Sequence, residues 1–347
     1  MVNFLELTSK GLYCVPGDFY IDPWFPVDKA VISHAHADHA RRGMQHYLCH
    51  TLTKPILQLR LGAEISVDTL QYGEKTYING VTLSLHPAGH LIGSSQIRVE
   101  YKGQVAVFSG DYKLHDDNLS TPFEPVKCHS FITESTFGLP IYRWKAHNLL
   151  TEEIRNWTIE NHKAGKNTVF FGYSLGKAQD VLQMLDNIAP IYAHSAVKRT
   201  NDAFDAVGVK LPEHDLAEYG MAHPKSGNIY IMPPALLGSR MVKRIPNAVT
   251  AVCSGWMQVR GRRRWNAVDA GFAVSDHADW DGLLQAVAAT EADEILVTHG
   301  YTEVFSRYLR ELGYNAHALE TQFGGDDTDT DEVDEMSGDA QNEVENG

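Results

Sequence analysis

Residues 33–40 read SHAHADHA and place His34, His36, Asp38 and His39 within six positions. Imidazole nitrogens combined with a carboxylate form a donor set that suits zinc, with manganese or iron as alternatives. The cluster directly follows the apolar run Lys29-Ala30-Val31-Ile32, which reads as a buried strand, so the donors fall where a strand gives way to a loop. Side chains at i and i+2 of an extended backbone point the same way. His34 and His36 therefore face one point, and once the chain turns, Asp38 and His39 face a second point beside it. The alternative is a histidine-rich surface turn. It would leave the other strand-end donors of the chain unexplained.

Those donors lie at the ends of further strand-like segments. Val81-Thr82-Leu83-Ser84-Leu85 alternates with period two and runs into His86-Pro87-Ala88-Gly89-His90. The segment 104–108 is another strand, followed by Ser109-Gly110-Asp111. His90 and Asp111 thus sit on glycine-containing turns, where backbone can approach a ligand closely. Phe131-Ile132-Thr133 ends in Glu134, while 271–276 and 294–298 are strands ending in His277 and His299. Ahead of the histidine cluster, Asp22 precedes Pro23. It either caps a turn or supports the ligand loop from behind, where a carboxylate orients an imidazole.

From about Trp144 the pattern changes to alternating helix and strand: helices at 147–162 and 178–188, strands at 167–171, 228–232 and 248–252. This is the pattern of a small Rossmann-like α/β domain inserted into the first fold. The expected organisation is a first domain over 1–144, the insert over 145–268, a return to the first fold over 269–323, and an acidic tail over 324–347. Within the insert, Lys177 stands in a glycine-containing turn. Arg260, Arg262, Arg263 and Arg264 form the densest basic run and are flanked by aromatic residues. Phosphate binding and base stacking need that mixture, and a solvated basic loop also has it.

Composition sets the frame. Apolar residues at 43% and charged residues at 21% are those of a soluble globular protein, and no run is long enough to cross a membrane. The start lacks the basic and apolar regions of a signal peptide. The four cysteines are scattered, with no Cys-x-x-Cys, which fits a reducing cytoplasm. The net charge of −14 is concentrated at the C-terminus, where ten acidic residues and no Lys or Arg lie between Asp326 and Gly347. That composition reads as a disordered, solubilising tail.

The His-x-His-x-Asp-His pattern after a strand, with His90, Asp111 and His299 following in order, resembles the metallo-β-lactamase superfamily. Glu134 followed by Ser135-Thr136-Phe137-Gly138, the α/β insert and His277 resemble its β-CASP nuclease branch. The resemblance implies an αββα sandwich carrying an inserted Rossmann-like cap, and two divalent ions, zinc first and manganese as the alternative. His34, His36, His90 and Asp111 would hold one ion. Asp38, His39, Asp111 and His299 would hold the other, with Asp111 bridging cations that repel one another at about 3.5–4 Å.

A hydroxide between the ions would attack phosphorus. His277 would protonate the leaving oxygen, oriented by Glu134, and Asp38 would serve both as ligand and in catalysis. Leu175-Gly176-Lys177-Ala178-Gln179 resembles a family segment in which Lys177 replaces the usual Arg, with loss of a bidentate phosphate contact. GLYCVPGDFYIDPW and TESTFGLPIYRW resemble the bacterial ligase-associated DNA exonucleases. This implies DNA rather than RNA as substrate, and functional association with a DNA ligase and a helicase in repair. The alternatives are an RNA-directed β-CASP ribonuclease, a small-molecule ester, thioester or lactone hydrolase, and a non-catalytic scaffold. The hydrolases lack the Glu134 and His277 elements. A scaffold would have lost ligands, and none is missing here.

Overall fold

The computed structural model describes residues 2–217, 226–259 and 268–323. The chain forms two compact units, the first comprising Met1–Arg143 and resuming at His277, the second spanning Trp144–Asp276. The first unit opens with β1 (Leu5–Thr8), β2 (Gly11–Cys14), β3 (Phe19–Ile21), β4 (Lys29–Val31), β5 (His46–His50) and β6 (Val67–Leu70). It continues with β7 (Lys75–Ile78), β8 (Val81–Pro87), β9 (Ser95–Tyr101), β10 (Gln104–Phe108) and β11 (Ser130–Ser135). The second unit holds β12 (Asn167–Phe171), β13 (Ile191–Ala193), β14 (Asp215–Leu216), β15 (Ile229–Met232), β16 (Ala248–Cys253) and β17 (Ala270–Phe272). The chain then returns to the first unit with β18 (Glu294–Gly300) and β19 (Ala316–Ala318).

In the first unit β1 to β6 form one sheet in sequence order, and a second sheet runs β19-β18-β11-β10-β9-β8-β7. The period-two alternation explains how the second sheet is covered on both faces. Ala106, Phe108, Ile132 and Leu296 turn towards the first sheet and pack with Leu12, Phe19, Ile21 and Val31. Their neighbours Val105, Val107, Phe131, Ile295 and Val297 turn the other way, onto Trp280, Leu283 and Val287 of the helix Trp280–Thr290 and Phe305 and Leu309 of the helix Thr302–Glu311. Each such buried side chain stabilises the fold by about 1.5–3 kcal/mol. The result is a two-sheet sandwich with helices outside, as the α/β reading requires.

Strand direction gathers the donors. β10 and β11 run parallel, as do β11 and β18, while β8 reaches the same direction through two antiparallel pairings with β9. The carboxyl ends of β8, β10, β11 and β18 therefore emerge at one edge, where ligands of parallel sheets bind. The loop after β4 joins them through a hydrogen bond from the Ser95 amide to the Ser33 carbonyl, 2.9 Å.

The second unit is an all-parallel sheet ordered β14-β13-β15-β12-β16-β17, with the helices His147–Lys163, Lys177–Met184 and Ser195–Asp205 in its connections. Every residue of β12 and of β15 is buried, as strands covered on both faces must be. One boundary differs from the sequence expectation. The strand-like run before His277 suggests a return to the first fold at 269, but β17 pairs in parallel with β16, with Ala251 opposite Ala270 and Cys253 opposite Phe272. The second unit therefore continues to Asp276. The helix Lys54–Leu61 stops where Gly62 leaves helical space with φ 116°.

Candidate metal centre

The loop after β4 sets the first donors. Asp22 is wholly buried and holds this loop from behind: its Oδ1 accepts from the Ser33 amide at 2.8 Å, and its Oδ2 accepts from the Ser33 hydroxyl. The same Oδ2 lies 2.7 Å from His39 Nδ1. That contact fixes the His39 ring so that Nε2 faces Asp111 Oδ2 at 3.4 Å and Asp38 Oδ2 at 3.6 Å. His34 Nδ1 is engaged by the Ser33 hydroxyl at 3.0 Å, and its Nε2 lies 3.5 Å from Asp111 Oδ2. Arg60, itself buried, donates to the carbonyl of Ala35 between the first two histidines.

The remaining donors come from the strand ends. His90 Nε2 lies 3.0 Å from His36 Nδ1 and 4.0 Å from Asp111 Oδ2. His299 places Nε2 at 3.6 Å from Asp38 and Nδ1 at 3.6 Å from Asp111 Oδ1. Its φ is 61°, a left-handed conformation that costs a non-glycine residue about 1–3 kcal/mol and is typical of functional positions. Two groups of donors result. His34, His36, His90 and Asp111 make one, and Asp38, His39 and His299 the other; within each group the ligand atoms lie within 4.8 Å of one another. Asp111 faces both groups.

These residues fit divalent cations. Among the described residues, His34 Nε2, His39 Nε2, Asp111 Oδ1 and His299 Nδ1 are buried polar atoms with no hydrogen-bond partner. Leaving such atoms unmatched is costly, and a cation in each donor group would satisfy them. The electrostatics agree. Burial holds the His34 imidazole well below its usual pKa, in the neutral form a cation needs, with the charge of His39 acting in the same direction. Burial opposes charge on Asp111, yet His39 and His299 beside it hold its carboxyl well below the usual range. Burial likewise disfavours the His39 proton, but Asp111 and Asp38 outweigh it and raise that pKa well above normal.

Next to Asp111 stands a second pair. Glu134, at the end of β11, is buried, and its two carboxylate oxygens lie 3.2 and 3.0 Å from His277 Nδ1. Glu134 Oε1 also accepts from the Tyr112 amide at 2.7 Å, and the Tyr112 carbonyl accepts from the Ala278 amide at 2.6 Å. Tyr112 thus ties Asp111, Glu134 and His277 together through its backbone, which side-chain patterns in the sequence cannot reveal. His277 Nδ1 is 4.0 Å from Asp111 Oδ2. An imidazole held by a carboxylate beside a cation-binding cluster is a proton donor or acceptor set against a Lewis-acid site.

The proposed substrate contacts divide. Lys177 opens the helix Lys177–Met184 but is buried, with its Nζ 2.8 Å from Asp276 Oδ1 and 4.8 Å from the centre of the Tyr173 ring. Asp276 carried no signal in the sequence reading, although it directly precedes His277. Arg260, Arg262, Arg263 and Arg264 lie outside the described residues, as does the acidic tail. Ser33 was legible as part of the histidine stretch but not as the bridge to Asp22.

Comparison with known proteins agrees with this geometry. The family model described as Metallo-beta-lactamase superfamily matches residues 22–188. A protein of Opitutus terrae named "Probable DNA ligase" is 32% identical over 316 residues, covering 90% of this chain and 30% of that protein. "Endoribonuclease YSH1" of Yarrowia lipolytica is 32% identical over 124 residues, covering 35% of this chain and 14% of that protein. The chain therefore spans less than a third of the length of either relative. A crystal structure of an Enterococcus faecalis V583 protein of unknown function shares the fold, with a TM-score of 0.57 at 13% identity, over 85% of this chain and 80% of that one. The donor order, the two-sheet sandwich and these similarities together give the chain a metallo-β-lactamase domain.

Proposed function

We propose that the protein is a metal-dependent phosphodiesterase acting on nucleic acid and, within that class, a DNA exonuclease that processes ends during repair. The observation that carries the phosphodiesterase reading is the Glu134–His277 pair set beside two donor groups, one containing Asp111 and the other approached by it. His34, His36, His90 and Asp111 would hold one cation, and Asp38, His39, Asp111 and His299 the other. Zinc suits the imidazole-rich set best, and manganese suits it next. When bound, the pair of cations supplies Lewis acidity towards the phosphate and a nucleophile from water at neutral pH.

The chain's own residues do the rest. Asp22 fixes the His39 tautomer. Glu134 holds His277 through Nδ1, so that Nε2 carries the proton given to the leaving oxygen. The carboxylate also favours the imidazolium that must be present before donation. Lys177 and the run Arg260, Arg262, Arg263 and Arg264 are proposed as phosphate contacts. Four buried, unpaired cysteines support a reducing compartment such as the cytoplasm, and no described helix is long and apolar enough to cross a membrane.

DNA is favoured because the similarity to the ligase-named protein extends over 90% of this chain, whereas that to the endoribonuclease covers 35%. The same similarity favours functional association with a DNA ligase and, by extension, a helicase. The endoribonuclease name supports the second reading, action on RNA with the same metal chemistry. The deciding experiment uses metal-defined protein with zinc or manganese restored, matched single-stranded DNA and RNA labelled at either end, and Asp38→Ala as control. Release of mononucleotides from DNA alone is the expected result. Preferential cutting of RNA would replace DNA by RNA in the proposal, and inertness towards both would remove the nuclease assignment.

A further inference from the structure

The end of the described chain returns to the metal centre. After β18, the Leu319 amide donates to the Val297 carbonyl at 2.8 Å, and the hydroxyls of Thr321 and Thr298 lie 2.7 Å apart. Arg41, just past the histidine cluster, donates to the Gln322 carbonyl at 3.1 Å. These contacts bring Phe323 face to face with two donor imidazoles. Its ring is stacked on His39 at 4.7 Å and 13°, and on His299 at 5.7 Å and 6°. The two imidazoles are themselves parallel within 9°, with centroids 5.5 Å apart. Behind Phe323, Trp24 meets it edge-on at 5.9 Å and Phe108 packs at 6.1 Å.

The stack matters because of how each imidazole is otherwise held. Metal-binding histidines usually fix their plane by donating the second ring N–H to a carboxylate or carbonyl. His39 follows that rule through Asp22. His299 does not: with Nδ1 left for the cation, its second nitrogen, Nε2, lies 3.6 Å from Asp38 Oδ2, and among the described residues the side chain makes no hydrogen bond. The residue also carries a left-handed backbone. The rings stacked on it are those of His39 and Phe323, beside its 3.6 Å approaches to Asp38 and Asp111.

We propose that Phe323 is a positioning residue for the cation held by Asp38, His39 and His299, its ring replacing the orienting hydrogen bond that His299 lacks. The inference rests on the metal-centre reading above. The phenyl ring fixes the two imidazoles parallel and keeps water off their outer face. Its loss weakens that position selectively, because both imidazoles it covers belong to the same donor group.

The test is zinc and cobalt titration of the full-length, metal-stripped protein against a competing chromophoric chelator, with cobalt absorption reporting ligand geometry. Wild type is expected to take up two equivalents. Phe323→Ala should keep one at unchanged affinity and bind the other about 10–100-fold more weakly, with an altered cobalt spectrum. Phe323→Tyr, which keeps the ring, should restore wild-type behaviour. Phe323→Leu, which keeps the apolar contact with Trp24 and Phe108, should bind like the alanine variant while melting like wild type. Two unchanged equivalents in Phe323→Ala would overturn the inference, and so would recovery by leucine, which would reduce Phe323 to packing. Fewer than two equivalents in wild type would instead overturn the metal-centre reading, and the inference with it.

Discussion

Asp22 and His277 show why one carboxylate or one imidazole carries little meaning until its partners are known. In the sequence Asp22 is as readily a turn cap before Pro23 as a support for a ligand. The structure has it fix both Ser33 and His39, at the φ of 39° it adopts. The four donors of the histidine stretch were legible because i,i+2 geometry and strand-end placement are local properties. The Tyr112 backbone contacts and the Phe323 stack were not, because they depend on where distant segments meet. His277 is the residue whose role most needs separating from ligation, since Asp111, Glu134 and His277 could themselves hold a cation. His277→Ala is expected to lower turnover by about 10²–10⁴-fold, the usual range for a general acid, while metal content after dialysis stays at the wild-type level. Loss of a metal equivalent along with activity would make His277 a ligand rather than the proton donor.

At the scale of elements, the site is a property of parallel strands ending together. β10, β11 and β18 were each readable as strands, with their terminal residues assigned, yet their adjacency was not: β11 and β18 are far apart in sequence and meet only through the sheet. The misplaced boundary at 269 has the same origin. A short apolar strand looks alike whichever sheet it joins, and only the ladder to β16 assigns β17 to the second unit. The turn after β18 shows how tightly the strand ends are fitted. Ser135 donates its hydroxyl to the His299 carbonyl at 2.6 Å and accepts from the Tyr301 amide at 3.0 Å. Gly300, at φ 79°, leaves no room there, since a Cβ would lie 2.5 Å from the Ser135 carbonyl oxygen and from Thr136 Cα. Gly300→Ala is therefore expected to destabilise the protein by about 2–4 kcal/mol, combining left-handed strain with overpacking. It should also displace His299. Urea denaturation measures the first effect and metal titration the second; a variant with wild-type stability would mean that the turn relaxes without cost.

For the molecule as a whole, the proposed action on nucleic acid raises the question of how a chain with a net charge of −14 would hold a polyanion. Ten of those charges fall between Asp326 and Gly347, so the remainder of the chain is far closer to neutral than the total suggests. Attraction to nucleic acid must then come from local concentrations of positive charge, together with whatever cations the centre holds, rather than from a uniformly basic surface. The densest such concentration is the run containing Arg260, Arg262, Arg263 and Arg264, close to the end of the second unit. If three of these arginines each neutralise one phosphate, each contributes about 0.7 to the slope of log affinity against log salt on a single strand. Replacing Arg262, Arg263 and Arg264 by Ala should therefore weaken binding of single-stranded DNA and flatten that slope by about 2. The comparison is best made with a catalytically silent Asp38→Ala background, so that binding is read without cleavage. The metal titration of the arginine variant should match that of the parent, since no ligand is touched. An unchanged slope would remove the run from the proposed phosphate contacts, which would then have to be sought elsewhere, beginning with Lys177 and the buried pair it forms with Asp276.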